Sequence, residues 1–258
     1  MKVAAVQFAP VLGQKDENLR RLVALVIQAA QNDAQLIVLP ELATTGYSFM
    51  GKESAELYAE SLLSYPNDEQ PPTTSAQVMY ALASKFRVHI AWGLIEKDLG
   101  TGALYNTQVL MTPDGSYSSY RKVNRWGNDF LWARPGRSNP PVLKCFFDEG
   151  GTRITKRVGL LICRDVRDKV DDTWKSFYEK GDADIVCLSA NWGDGGFPAV
   201  SWMDFVESNH VTLIVSNRHG QETSNDFGEG GSCIITLPDN VMCDGLVWNQ
   251  DCIIYADV

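Results

Sequence analysis

The chain has few of the residues that build metal sites and disulfide frameworks. Its 258 residues include six cysteines and three histidines. The cysteines are widely scattered without a CxxC pair, and the histidines lack the spacing of metal ligands. Zinc sites need Cys and His at short fixed spacings, and disulfide scaffolds are dense in paired Cys. We therefore expect reduced thiols, no metal and no cofactor.

Basic charge and long apolar runs are also scarce. The formal net charge is -9, from 23 Lys and Arg against 32 Asp and Glu. Nucleic acids and acidic membrane surfaces require a basic face, so neither is an expected partner. No run approaches the ~18 apolar residues of a membrane span. The opening segment MKVAAVQFAP is too short and too polar for the apolar region of a signal peptide. These features predict a cytoplasmic protein.

Short apolar runs of strand length are abundant and alternate with helical patterns. A strand at 2–8, an amphipathic helix at 16–32 and a buried strand at 36–39 form a βαβ unit, which predicts parallel pairing. Pro113-Asp114-Gly115 predicts a hairpin turn. Such units and hairpins occur in both halves, without a repeat or a domain boundary. We therefore predict an α/β fold of two sheets in one domain, residues 1–258.

The remaining patterns predict four more helices and nine more strands. The helices are expected at 55–63, 74–86, 171–180 and 202–208. The strands are expected at 88–94, 104–112, 117–123, 142–147, 153–163, 185–189, 212–216, 232–237 and 251–258. Residues 124–141 have no helical or strand period and are interpreted as a functional loop.

Three ionisable or nucleophilic side chains each follow an apolar strand. Glu41 follows the second strand, Lys122 closes the alternating strand at 117–123, and Cys163 ends the run VGLLI. If these strands are parallel neighbours, their carboxyl ends share one rim, where α/β sheets bind ligands. A single cysteine in such a place could equally be a core residue, because free Cys is commonly buried. The other five cysteines are interpreted in that way.

Together these three groups are suited to amide chemistry. A carboxylate can take the thiol proton, the thiolate can attack a carbonyl carbon, and an ammonium can stabilise the charge that develops on oxygen. A free thiol has a pKa near ~8.5, so it needs such a base or cation to react at neutral pH. The hypothesis requires Glu41, Lys122 and Cys163 to converge in space.

Five segments in order resemble the nitrilase, or carbon-nitrogen hydrolase, superfamily. They are VAAVQFAP, IVLPELATTGY, YRKVN, LLICRDVR and SNRHG with FGEGGSCIITLPD. The resemblance spans nearly the whole chain. It implies an αββα sandwich, with two mixed sheets flanked by helices, and a Glu-Lys-Cys triad. By this resemblance Glu41 is the general base, Lys122 stabilises the transition state, and Cys163 forms a thioester or thioimidate. The backbone amide of Arg164 joins Lys122 in the oxyanion site.

The sequence departs from the family pattern at the second carboxylate. Many members have a further glutamate a few residues before a Pro-Gly pair, where it helps to orient the lysine and the water. Here the corresponding stretch is DFLWARPG, and the best match is Asp129. This carboxylate is one methylene shorter and lies on a shorter loop from Lys122, so its role in this chain is an open expectation.

The resemblance also suggests residues that contact the substrate. Members that act on ω-amides or carbamoyl groups often read C-x-D-x-R-x-P-E, and Asp165 and Arg167 fit that pattern while Lys169-Val170 replaces Pro-Glu. Arg167 could bind a substrate carboxylate or form a structural pair with Asp165 or Asp168. Asn191 and Trp192 match a position that often lines the family's pocket, although packing would also explain the tryptophan.

The sequence therefore predicts a hydrolase of a small amide or N-carbamoyl substrate that acts through a cysteine acyl-enzyme. Nitrile hydrolysis by the same triad is an alternative, although the lack of a long C-terminal extension favours an amidase. There are two other hypotheses. The protein could be a non-catalytic member that serves as a binding or assembly module, or it could be a thiol redox protein. Members usually pair, and the aromatic face of the helix at 171–180 predicts a homodimer or a higher homo-oligomer.

Overall fold

Two six-stranded sheets form the centre of the protein. A computed structural model describes residues 1–62, 74–167, 182–193, 197–236, 240–242 and 249–258. The first sheet contains β1 (Lys2–Gln7), β2 (Leu36–Val38), β3 (His89–Lys97), β4 (Leu104–Met111), β5 (Tyr117–Arg121) and β14 (Cys252–Asp257). The second contains β6 (Val142–Glu149), β7 (Thr152–Ile162), β8 (Ile185–Ala190), β9 (Thr212–Asn217), β12 (Cys233–Thr236) and β13 (Asn240–Met242). A short hairpin, β10 (Gln221–Glu222) and β11 (Asn225–Asp226), stands apart from both.

Both sheets have parallel strands at their centre and antiparallel strands at their edges. The first has the order β14-β1-β2-β3-β4-β5, and β1, β2 and β3 are parallel. The second has the order β13-β12-β9-β8-β7-β6, and β7, β8 and β9 are parallel. The parallel pairing expected from the βαβ pattern is thus confirmed. The carboxyl ends of β2, β7 and β8 are the ends that carry the candidate site.

The two sheets pack face to face through their apolar inner surfaces. Val3, Ala5 and Val38 of the first sheet belong to the same buried cluster as Leu160 and Leu188 of the second. Alternate residues of β1 and β2 point outwards into a separate cluster. This alternation is the period of two expected of a strand with both faces covered.

Helices cover the outer faces. The described helices are α1 (Lys15–Gln31), α2 (Lys52–Glu56), α3 (Ser75–Phe86), α4 (Asp129–Trp132) and α5 (Val200–Asn209). The apolar stripes of α1 and α3 pack on the first sheet, and Trp202 and Val206 of α5 pack on the second. The predicted αββα sandwich is confirmed. No helix in the described ranges is long and apolar enough to cross a membrane.

Two predictions between residues 55 and 141 are wrong. The helix predicted at 55–63 lies instead at Lys52–Glu56, because the backbone at Glu60 pairs with the edge of β3: its N–H donates to the Ile95 carbonyl at 2.9 Å and its carbonyl accepts from Lys97 at 2.8 Å. Residues 124–141, interpreted as a loop throughout, contain the one-turn helix α4. A single turn is too short to show a helical period.

Several predictions fall outside the described residues. The helix expected at 171–180, with Trp174, Phe177 and Tyr178, is among them, as are Asp168, Lys169-Val170 and Cys243. The homodimer rests on that helix and stays a prediction, which light scattering at micromolar concentration would test.

Candidate active site

Four candidate residues follow the ends of four strands. Lys122 follows β5 directly, Cys163 follows β7 directly, and Asn191 follows β8 directly, while Glu41 lies three residues beyond the end of β2. Lys122 is 1% exposed, and Glu41, Cys163 and Asn191 are also buried. The sandwich therefore brings side chains from both sheets to one end of the molecule.

The turn that carries Glu41 is tightly packed against β3. Leu42 has a φ of 50°, in the left-handed region. A Cβ at Gly93 of β3 would lie 2.3 Å from the Leu42 nitrogen and 2.9 Å from the Glu41 Cα. A side chain there would displace the turn, so glycine is required. Below the turn, Ser189 Oγ of β8 donates to the Leu39 carbonyl at 2.7 Å, which ties the two sheets together beside Glu41.

Lys122 contacts two buried carboxylates. Its Nζ lies 2.6 Å from Glu41 Oε1 and 2.7 Å from Asp129 Oδ2. The short helix α4 provides Asp129, which is fully buried. The structure thus brings Asp129, the least certain of the expected site residues, against the lysine despite its shorter side chain. The three groups carry a formal net charge of one negative unit.

Electrostatics hold the lysine in its charged form. Burial by itself lowers the pKa of Lys122, but the negative charges of Asp129 and Glu41 outweigh burial and raise that pKa well above its usual range. Burial also raises the pKa of Glu41, and the positive charge of Lys122 only partly opposes this rise. Lys122 is therefore a fixed ammonium beside a carboxylate that binds protons more readily than usual.

The two oxygens of Glu41 differ in their contacts. Oε1 accepts from Lys122 at 2.6 Å and from Asn106 Nδ2 at 2.7 Å. Oε2 is buried and has no hydrogen-bond partner among the residues that the structure describes. The same Asn106 Nδ2 lies 3.0 Å from Asp129 Oδ1, and the Asn106 carbonyl accepts from the Lys122 N–H at 2.9 Å. Asn106 therefore holds the cluster together and leaves one oxygen of Glu41 unpaired.

Cys163 lies in a strained turn directly after β7, as the first residue of a 3-10 helix, Cys163–Val166. Its φ of 45° is left-handed, which is uncommon for a residue with a side chain. Burial raises the pKa of its thiol, the charge of Glu41 raises it further, and the charge of Lys122 lowers it. The backbone amide of Asn191 also lowers this pKa. Cys163 is thus within electrostatic reach of both Glu41 and Lys122.

Asp165 links the cysteine turn to the segment around Lys122. Its carboxylate accepts from the Tyr120 hydroxyl at 2.9 Å, the Asn124 N–H at 2.9 Å and the Ile162 N–H at 3.3 Å. Tyr120 and Asn124 each lie two residues from Lys122, and Ile162 precedes Cys163. Burial raises the pKa of Asp165 to about 7. This carboxylate therefore fixes the position of the nucleophile relative to the ammonium.

A cavity of about 160 Å³ opens beside the sulfur. It is small next to the ~300–1,000 Å³ of pockets for drug-sized ligands. Cys163, Arg164, Arg167, Asn191 and Trp192 all line it, so every expected substrate-binding residue lies at this cavity. The remaining lining residues are Trp126, Gly193, Ser224, Asn225, Asp226 and Phe227. The Arg167 guanidinium lies 4.3 Å from the centre of the Trp192 ring.

The hairpin β10–β11 and the following Phe227 form one wall of the cavity. Glu222 anchors this wall: Oε1 accepts from Arg218 Nη1 at 2.8 Å, and Oε2 accepts from the N–H groups of Tyr47 and Ser48 at 2.9 and 2.6 Å. Arg218 also lies 4.2 Å from the centre of the Phe227 ring. The wall is thereby held to the segment that follows Glu41.

The sequence analysis missed Asn106 and did not assign a position for Asp165. Asn106, Thr107 and Gln108 are three successive buried polar residues within β4. Since alternate residues of a strand face opposite ways, three polar residues in a row inside an apolar strand cannot all reach solvent. That pattern was the available signal for a buried polar site.

Comparisons with known proteins show the family of this chain. The profile of the family described as carbon-nitrogen hydrolase matches residues 2–258. The chain belongs to this family. Over 227 residues it is 29% identical to a nitrilase from Pyrococcus abyssi, covering 88% of this chain and 78% of the relative. Over 278 residues it is 26% identical to a protein N-terminal amidase from Schizosaccharomyces pombe, covering 92% of this chain and 91% of the relative.

A solved structure supports the fold. The amidase from Nesterenkonia sp. AN1, in a variant that carries acrylamide added at its active-site cysteine, superposes with a TM-score of 0.76 at 20% identity. The match covers 100% of this chain and 93% of the amidase. The chain is therefore a carbon-nitrogen hydrolase of the nitrilase superfamily with the sandwich fold of these amidases, as predicted.

Proposed function

We propose that the protein hydrolyses a small amide or N-carbamoyl compound through an acyl-enzyme on Cys163. Glu41 acts as the general base, Lys122 stabilises the oxyanion, and Asp129 takes the place of the family's second glutamate. The observation that carries the proposal is the difference between the two oxygens of Glu41. Oε1 accepts hydrogen bonds from Lys122 and Asn106, while Oε2 is unpaired within the described part of the chain.

The unpaired oxygen supports the role of Glu41 as a base. An ordinary glutamate, with a pKa near ~4.3, is too weak a base to deprotonate a thiol efficiently. Burial raises the pKa of Glu41 and makes its carboxylate a stronger base than an ordinary one, while the charge of Lys122 opposes the effect of burial on the Cys163 thiol. In the first step the Cys163 proton moves to Glu41, and the sulfur bonds to the carbonyl carbon.

Lys122 supports the second half of the first step. Negative charge develops on the carbonyl oxygen as the C–S bond forms, and a buried ammonium stabilises it more strongly than one in water. The backbone N–H of Arg164, the residue after the nucleophile, is the second donor in this proposal. Glu41 then returns the proton to the nitrogen, the C–N bond breaks, and ammonia or an amine leaves.

Water completes the cycle. Glu41 takes a proton from the water as the oxygen bonds to the thioester carbon, and it returns that proton to the sulfur as the C–S bond breaks to release the acid and the free thiol. Asp129 and Asn106 keep Lys122 and Glu41 in place throughout. Asp129 Oδ2 lies 2.7 Å from Lys122 Nζ, and Asp129 Oδ1 lies 3.0 Å from Asn106 Nδ2. The cavity of about 160 Å³ favours a small acyl group.

The test is ammonia release from a panel of small primary amides. We expect turnover by the wild-type protein and none by Cys163→Ala, whose circular dichroism and melting temperature should match the wild type. A Cys163→Ala protein with wild-type rates would contradict the proposal. Alkylation by iodoacetamide adds a second readout: Cys163 should react faster than the other cysteines, and equal reactivity would favour a non-catalytic binding module.

A further inference from the structure

The side chain of Asn191 is a buried carboxamide without partners. Asn191 is 4% exposed, and neither its Oδ1 nor its Nδ2 has a hydrogen-bond partner among the described residues. The indole Nε1 of the adjacent Trp192 also has no hydrogen-bond partner among the described residues. Each unsatisfied buried group destabilises the folded protein. Such groups are uncommon in folded proteins and call for a specific explanation.

The backbone at this position is fixed beside the nucleophile. Asn191 lines the same cavity as Cys163, and its backbone amide lowers the pKa of that thiol. The Trp192 N–H donates to Asn217 Oδ1 at 2.8 Å, and Asn217 Nδ2 donates to the Trp192 carbonyl at 3.0 Å. The backbone at Asn191 is therefore held at the wall of this cavity, and rotation about the two side-chain torsions can bring the carboxamide to a group bound there.

An amide substrate presents a group that needs such a partner. Under the proposed function, Lys122 and the Arg164 N–H take the carbonyl oxygen. The N–H groups on the scissile nitrogen must then find acceptors within the buried site. Glu41 Oε2 exchanges the proton and must face the nitrogen lone pair when it returns that proton, so it cannot accept from both N–H groups. A second acceptor is required to hold the nitrogen with its lone pair towards Glu41.

We propose that Asn191 Oδ1 is this second acceptor, and that it makes the enzyme selective for amides and carbamoyl compounds over nitriles. A nitrile nitrogen has a lone pair and no hydrogen, so it leaves Asn191 Oδ1 unpaired in the closed site. Sites built to hydrogen-bond a substrate group reject analogues that lack it much more strongly than apolar pockets reject a change in size. This inference rests on the proposed function and selects between the two chemistries that the triad allows.

The chemical step is balanced without any further reactant. The thiol proton passes to Glu41 as the C–S bond forms, Glu41 returns that proton to the nitrogen, and the C–N bond breaks to give the thioester and ammonia. Asn191 accepts a hydrogen bond from the nitrogen throughout and exchanges no proton. It is a specificity-determining residue that touches the leaving group.

Butyramide and butyronitrile form a matched pair of probes with the same alkyl chain. We expect wild-type kcat/KM to favour butyramide by at least about 100-fold. Asn191→Leu removes the acceptor at similar volume and should lower the butyramide to butyronitrile ratio by about 10- to 100-fold, the equivalent of about 1–3 kcal/mol. Asn191→Asp keeps an acceptor oxygen and should retain the ratio within about fivefold, even if its added charge lowers both rates.

The outcomes separate this inference from the proposed function. An unchanged ratio in Asn191→Leu, or a wild-type protein that prefers butyronitrile, would overturn the role of Asn191. If the leucine variant does not fold, Asn191→Ala provides the same comparison. Asn32→Leu, at an exposed position on the C-cap of α1, is the control for an Asn to Leu change. Failure of the wild type to acylate Cys163 with either probe would instead contradict the proposed function.

Discussion

Arg121 and Lys122 are neighbours at the end of β5, and each contacts two carboxylates, yet their surroundings differ. The Arg121 side chain is 32% exposed. Its Nη2 lies 2.5 Å from Glu96 Oε1 and 3.0 Å from Asp98 Oδ2, and its Nε donates to Glu96 Oε2 at 3.0 Å. The guanidinium also lies 4.0 Å from the centre of the Tyr105 ring. Lys122 is almost completely buried between Glu41 and Asp129.

The Arg121 and Lys122 clusters differ in whether both oxygens of the glutamate have a hydrogen-bond partner. Both oxygens of Glu96 have partners, since Thr107 Oγ1 also donates to Oε2 at 2.8 Å. Glu41 is buried and keeps one oxygen without a partner in the described residues. Solvent screens the first cluster, and burial strengthens every charge in the second. Charge pairing is therefore common to both clusters, and the unpaired buried carboxylate oxygen is what distinguishes the candidate site.

The largest expected effect separates the two glutamates. Glu41→Gln removes the proposed base and should lower kcat/KM for a small amide by about 10³- to 10⁴-fold, in keeping with the upper range for general acid–base catalysis. Glu96→Gln makes the same chemical change in the Arg121 cluster and should stay within about threefold of the wild type. Steady-state ammonia release measures both. Equal losses in the two variants would show that the clusters do not differ in function.

The two cations should differ in their effect on stability. Lys122→Met leaves Glu41 and Asp129 buried without a counter-charge, so we expect the free energy of unfolding to fall by about 3–5 kcal/mol. Arg121→Met removes a partly exposed cation, and the buried Glu96 keeps its hydrogen bond from Thr107, so this change should cost about 1–2 kcal/mol. Urea unfolding followed by circular dichroism gives both values. A loss for Arg121→Met as large as that for Lys122→Met would contradict the assigned difference in burial.

The two aspartates extend the comparison to catalysis. Asp129→Asn removes one of the two charges that hold Lys122, and it should lower kcat by about 100-fold with little change in KM, because Asp129 acts through the lysine. Asp98→Asn is the matched change in the Arg121 cluster and should leave both constants near wild type. A change confined to KM in Asp129→Asn would place Asp129 in substrate binding instead.

The smallest expected effect is a pH dependence due to Asp165. Burial raises the pKa of this carboxyl from 3.8 to about 7, so between these values the folded protein holds a proton that the unfolded chain has released. The free energy of unfolding therefore falls as the pH rises through this window. For Asp165 alone the fall is about 2 kcal/mol between pH 5 and pH 7.

Asp165→Asn lacks this titration, so its stability should change less over the same window. Urea unfolding of both proteins at pH 5, 6 and 7 measures the difference, and effects of other groups such as Glu41 cancel in the comparison. Parallel pH profiles for the two proteins would contradict the raised pKa.

The sequence predicted the strands that carry the site better than the connections between them. Apolar runs of four or five residues identify buried strands, and the charged residue after each run identifies its end; in this way Glu41, Lys122 and Cys163 could be selected. The end of α2 was missed because the backbone at Glu60 bonds to β3, a contact distant in sequence. The helix propensity of a short stretch of residues carries no information about such a distant contact.

Roles that depend on three-dimensional contacts could not be predicted. Asp165 was considered as a partner for Arg167, but its carboxylate accepts from Tyr120, Asn124 and Ile162, which belong to two separate segments. Asn106 belongs to the buried polar run Asn106-Thr107-Gln108, which signals a polar site but not the groups that it contacts. Its partners Glu41 and Asp129 come from separate segments of the chain, and a single sequence does not give the distances between such segments.

The central claim is that Cys163 carries the acyl group during turnover. The most direct measurement is to quench the wild-type protein with acid during steady-state hydrolysis of butyramide and to determine the masses of its cysteine peptides. We expect the Cys163 peptide to carry one butyryl group in place of a hydrogen, and no other cysteine peptide to be modified. Continued butyramide turnover with an unmodified Cys163 peptide, or a butyryl group on a different cysteine, would contradict the account.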